Sequence, residues 1–194
     1  MDVKLKEVVL SMPYVFEASA YDADSDEKFS AHFIIEPGSE NDTAVRAALM
    51  AEAEKLWKDK AAAKLKAINS QGKIWCLRDG DGKTDSEGNV LKGYAGKLFV
   101  SAKNTVRPLL LGANRSPVTQ ADDKMYPGAV VTAIVDIRVN NKPSDQAYAY
   151  LKGIQFVRDG VRLGGGSPAS VDDFDVIPEK GQADVQKKGA AALF

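Results

Sequence analysis

The stretch SENDTAVRAALMAEAEKLWKDKAAAKLKAI, residues 39–68, decides the fold, because it is the one long run of helical period in a chain otherwise written in extended segments. Asn41, Asp42 and Thr43 offer N-caps, and Val45, Leu49, Leu56, Leu65 and Ile68 recur at mostly helical spacing. These residues predict one amphipathic helix of about six or seven turns, ending near Asn69.

Around this helix the period changes. Upstream, EVVLSMPYVFEA (7–18) and KFSAHFIIEP (28–37) are rich in β-branched and aromatic residues, with polar DADSDE between them and Pro37-Gly38 as a close. Downstream, KIWCLRD (73–79), GKLFVSAKN (96–104), GAVVTAIVDIRV (128–139) and QAYAYLKGIQFVRD (146–159) read as strands separated by Gly, Asn, Asp and Pro clusters. Strand and helix do not alternate, so a doubly wound sheet is excluded. The expectation is a mainly β fold: a small, strongly bent antiparallel sheet or barrel with one inserted helix.

With 194 residues, the chain suits one substantial core. Residues 1–166 are expected to form that domain. Residues 167–194, low in apolar content until the end, read as a flexible, mildly acidic tail. Lys and Arg total 26 against 27 Asp and Glu, so no global basic field announces a polyanionic partner. The acids Asp172, Asp173, Asp175, Glu179 and Asp184 outnumber Lys180, Lys187 and Lys188 near the C-terminus, which leaves the body about neutral. A single cysteine, Cys76, excludes an internal disulfide and suits a reducing cytoplasm. MDVKLKEVVLSMP lacks the apolar core of a signal peptide, and no apolar run reaches membrane-spanning length. A cytoplasmic location without membrane contact is expected.

CLRDGDGKTDSEGN, residues 76–89, imitates three motifs. A P-loop needs glycine five positions before Gly82, where Leu77 stands, and no helical pattern follows Thr84. A calcium loop starting at Asp79 needs glycine at its sixth position and a bidentate carboxylate at its twelfth; these are Thr84 and Val90. A plain turn remains: glycine takes positive φ freely, and Asp caps its own backbone. LRDG at 77–80 is echoed by VRDG at 157–160.

Catalytic readings are thin. Nucleophilic use of Cys76 needs a base, and His32 is the only imidazole. Asp79, Asp81, Asp85, Asp136 and Asp159 are the carboxylates from which a nuclease magnesium site would be assembled; turn and surface use explains each better. No catalytic residue, metal or cofactor is assigned.

Strand alternation is more informative. It places Lys97, Phe99, Ser101 and Lys103 on one face of GKLFVSAKN, opposite Leu98, Val100 and Ala102. Tyr148, Tyr150 and Lys152 fall together opposite Ala147, Ala149 and Leu151, while GKIWCLRD adds Lys73, Trp75 and Arg78. Arg107 and Arg138 join the set as further cations. Bases stack on aromatic rings for roughly 1–3 kcal/mol each while cations neutralise phosphates, so this mixture is what a single-strand groove needs. The plainer alternative is that the aromatics close a second small core.

LRDGDGK (77–83), GYAGKLFVSAKN (93–104), MYPGAVVTAIVDIRVNN (125–141) and LKGIQFVRDGVRLGGGSPASVDDFD (151–175), in this order, resemble the single-stranded DNA-binding proteins of tailed bacteriophages. The resemblance spans about Tyr14 to Asp175. It implies an oligonucleotide-binding (OB) barrel with a helix inserted between strands, and the coating of transient single strands in phage replication, recombination and repair. In related phage proteins an acidic tail ending in an aromatic residue makes partner contacts. Asp172, Asp173, Phe174, Asp175 and terminal Phe194 are similar, while Lys187 and Lys188 lower the acidity. The resulting expectation is a non-catalytic, homodimeric single-strand DNA-binding protein that meets replication or recombination proteins through its tail. A metal-dependent nuclease and an assembly protein with aromatic oligomer faces are the alternatives.

Overall fold

The computed structural model describes residues 1–20, 25–71 and 75–164. Among the described residues, seven strands form one sheet in the order β3-β4-β2-β1-β6-β7-β5. They are β1 Asp2–Ser19, β2 Lys28–Ile35, β3 Leu77–Asp79, β4 Leu98–Asn104, β5 Leu109–Leu111, β6 Val130–Asn140 and β7 Gln146–Arg158. Six lie in the predicted segments. The three-residue β5 in PLLLG carries no alternation to betray it, and it pairs with β7 in parallel, against the antiparallel expectation.

The long strand β1 pairs with β2 along one edge and β6 along the other. Its register is bulged or irregular at three places: between Leu5 and Val8 against β6, then between Ser11 and Tyr14 and between Tyr14 and Ser19 against β2. Glu7 and Met12, with φ of 48° and 46°, lie in the first two of these. Such bulges bend a strand and increase its twist. The bent sheet wraps a core that includes Leu5, Leu10, Val15, Phe33, Val100, Val131, Ile137 and Leu151. The ladder is not closed. On its open side β4 approaches β7, and Asn104 Nδ2 donates to the Leu151 carbonyl at 3.0 Å.

The predicted helix is broken. α1 spans Glu40–Trp57 and α2 spans Ala61–Gln71, separated by a 3₁₀ turn at Lys58–Lys60, with Lys58 at φ 50°. The cause is phase: Ala61, Leu65 and Ile68 fall about two positions late for the face begun by Val45 and Leu49 at 3.6 residues per turn. The break restores all three to the core and leaves Leu56 39% exposed, contrary to its expected place on the apolar face. The N-cap is Ser39 rather than Asn41, Asp42 or Thr43; its Oγ accepts from the Asp42 amide at 3.2 Å. Asp42 instead turns back, accepting from Gly38 N and Arg46 Nε.

The segment after β3 is a turn, as read. Asp79 Oδ1 accepts from the Asp81 amide at 3.0 Å, and Asp85 Oδ1 from the Glu87 and Asn89 amides. The reason for glycine at position 80 differs from the expected positive φ. A Cβ there would lie 2.2 Å from the Tyr94 carbonyl oxygen, and one on the echoing Gly160 would lie 2.1 Å from that of Gly128. Both RDG glycines let two backbones meet.

Candidate nucleic-acid interface

On the open side of the sheet, between β4 and β7, lies a cleft of about 430 Å³. β7 supplies Tyr148 and Tyr150, whose rings lie 6.1 Å apart at 38°, with Tyr150 42% exposed. The short edge strand β3 and the residues before it supply Trp75, Cys76 and Arg78; β4 supplies Ser101 and Lys103; the start of β2 supplies Lys28. Asp26, Asn104, Thr105 and Gln146 complete the polar rim. Gln146 Oε1 accepts from the Tyr148 hydroxyl and so orients that ring.

The electrostatics favour an anion. Partial burial holds the Lys103 ammonium below its usual value, and the Lys28 and Arg78 charges push it further in the same direction. Burial likewise lowers Arg78, although a guanidinium stays charged at neutral pH. Asp26, 3.6 Å from Lys28, is the acid lining this cleft. Among the described residues that line the cleft, three crowded cations stand beside one carboxylate, and a phosphate entering it relieves the repulsion.

Of the expected residues, Trp75, Arg78, Lys103, Tyr148 and Tyr150 line this one cleft, although Trp75 is only 7% exposed and packs in the main core, so it forms part of the cleft's floor rather than an open ring. Phe99 does not line it. It is 2% exposed, with its ring centroid 4.7 Å from that of His32 and 5.2 Å from that of Tyr94, and it forms a small second core with Ile34 and Tyr94. Alternation correctly put Phe99 on the face of Ser101 and Lys103, but the 80–97 loop folds Tyr94 over that end of the strand. Lys97, at the same covered end, pairs with Glu36 instead of lining the cleft. Lys152 pairs with Asp2 at 2.8 Å. Arg138 is the cross-strand neighbour of Tyr148 but binds Asp136 at 2.9 Å. Arg107 is exposed and outside the cleft lining. Lys73 and the tail residues Asp172, Asp173, Phe174, Asp175 and Phe194 lie outside the described residues. Lys28, missed in the sequence, is brought to the cleft by pairing register, since it opens a strand in which Phe29 stands opposite Asn104, and nothing local in the sequence signals that.

His32 and Cys76 gain no nucleophilic chemistry here. Burial first, then Lys83 and Arg78, lowers His32 to about 4, so its ring is neutral at pH 7; its Nδ1 lies 2.9 Å from the Tyr94 hydroxyl. Burial pushes the Cys76 thiol up to about 12. Among the described residues no group of three or more His, Cys, Asp or Glu is gathered to hold a metal ion, and no helix is long and apolar enough to cross a membrane.

An open, bulged β-barrel carrying a cleft of rings and cations defines the class: an OB-type protein. The chain belongs to the Enterobacter phage Enc34 ssDNA-binding protein family, whose model matches residues 1–186. It is 35% identical over 178 residues to the p50 protein of Acyrthosiphon pisum secondary endosymbiont phage 1, covering 90% of this chain and 93% of that protein. Its fold is similar to the single-stranded DNA-binding protein from bacteriophage Enc34 in complex with ssDNA, with a TM-score of 0.57 at 16% identity over 84% of this chain and 89% of the other. It also resembles gp2.5, a single-stranded DNA-binding protein encoded by bacteriophage T7, with a TM-score of 0.50 at 8% identity over 82% and 93% of the two chains.

Proposed function

We propose that the protein binds single-stranded DNA without reading its sequence, in the cleft between β4 and β7. The observation that carries this is the convergence of the Tyr148 and Tyr150 rings with Lys28, Arg78 and Lys103 on one cleft floored by Trp75. Rings accept any base by stacking and cations accept any phosphate, so affinity arises with little base discrimination. Family membership supports the same reading. The biological setting is the protection of transient single strands during phage replication, recombination and repair in the host cytoplasm, without catalysis. Self-association to a homodimer belongs to the same proposal; β5 is an edge strand with Leu109 61% exposed, a place where a second copy can pair.

Equilibrium titration against labelled single strands and duplex, with magnesium present, tests the reading. Neutralising phosphates with Lys28, Arg78 and Lys103 predicts a log–log salt slope of about −2, so a fourfold rise in salt weakens single-strand binding about sixteenfold. Salt-independent binding, equal preference for duplex, or degradation of the strand refutes it.

For the tail the proposal rests on sequence. Asp172, Asp173 and Asp175 flank Phe174 in a segment too polar to pack alone, and their charge imitates DNA phosphate. Deleting everything after Gly166 is expected to preserve folding, tighten single-strand binding at low salt and abolish contact with replication proteins. Weaker binding by the folded, truncated protein shows instead that Lys187 and Lys188 are phosphate contacts.

A further inference from the structure

A second cleft, of about 480 Å³, lies on β1 and the 80–97 loop, and includes Tyr14, Lys92, Ser11, Pro13 and Leu91 among its walls. Tyr14 is 53% exposed, and Lys92 is exposed. Neither belongs to the first cleft, yet the sheet connects the two. Tyr14 pairs with Ser30, which pairs with Lys103; one row along, Ser11 pairs with His32, which pairs with Ser101. Directly opposed residues share a face, so Tyr14 stands on the face of Lys103, two strands away, about 10 Å at the usual strand spacing. Small Ser30 lies between them.

The bulge in β1 creates this placement. From Ser11 to Tyr14 the strand spends three residues where β2 spends two, and Met12 in the bulge holds φ 46°. In unbulged alternation Pro13 would oppose Ser30 and Tyr14 would point inward. The extra residue turns the ring outward while Val15 stays fully buried. A bulge that re-aims an aromatic ring onto an open face, held by a residue in a rarely occupied conformation, is a feature found beside functional sites.

We propose that Tyr14 and Lys92 form a second nucleotide subsite on the same strand path: a base lies on the Tyr14 ring and its phosphate meets Lys92. This rests on the single-strand reading of the first cleft. Single-stranded nucleic acid fits better than an apolar peptide because the open ring is accompanied by a cation and the same sheet face reaches Lys103 of the positive cleft across Ser30.

The test uses the full chain and two oligothymidylates, of about four and about sixteen nucleotides, spanning the usual range of OB site sizes. The wild type binds the longer strand more tightly. Tyr14→Ala weakens the longer strand about tenfold, as the loss of one stacked base requires, and leaves the shorter within about twofold. Tyr14→Phe restores binding, and Lys92→Glu, at an exposed position that folding does not need, reproduces the length-selective loss. Wild-type affinity of Tyr14→Ala and Lys92→Glu for the longer strand overturns the subsite, and so does an equal loss on both lengths. Failure of the wild type to bind either strand overturns the single-strand reading itself, a separate result.

Discussion

Replacing Phe99 by Ala lowers the unfolding free energy by about 3–5 kcal/mol, the usual consequence of deleting a buried aromatic ring. The ring is 2% exposed and packs on His32, Tyr94 and Ile34, so truncation opens a cavity beneath the 80–97 loop. For a chain of this size the melting temperature falls by about 6–20 °C. Below the melt, the folded variant keeps its single-strand affinity. Paired thermal melts and binding titrations check this; an unchanged melt with lost binding would return Phe99 to the groove.

The opposite pattern is expected at Tyr148 and Tyr150. Each change to Ala weakens single-strand binding by about 1–3 kcal/mol, while the melt moves little because both side chains stand on the open face of β7. The double variant loses less than the sum of the two, because the rings touch and each orients the other. Tyr148→Phe keeps the stacking surface and loses only the hydroxyl that Gln146 accepts. If binding survives in the double variant, the stacking account fails.

These contrasting predictions show what strand alternation can and cannot give. It correctly places Phe99, Ser101 and Lys103 on one face, since period two follows from the pleat. Which part of that face is open depends on a loop whose sequence signals only a turn. Tyr94 comes from that loop to cover Phe99, and nothing local announces it. Lys97, Arg138 and Lys152 were legible as surface cations, but their acidic neighbours Glu36, Asp136 and Asp2 are brought by register and topology. The same limit explains the helix. Its existence was plain from residues 39–68, while its break lay in a phase slip between Leu49 and Leu65 that a count of apolar residues passes over. Lys28 and Tyr14 depend on pairing register and on a bulge, both tertiary facts. The resemblance carried by LRDGDGK and the following motifs supplied what alternation alone left open between a groove and a second core.

Photochemical crosslinking tests the central claim, that a single strand lies between β4 and β7, most directly. A bromouracil-substituted single strand is irradiated on the full-length protein, and the crosslinked peptides are mapped. The account predicts adducts on peptides carrying Trp75, Tyr148 or Tyr150, suppressed as salt rises. Adducts confined to α1, α2 or β5, with none at these three rings, would contradict it.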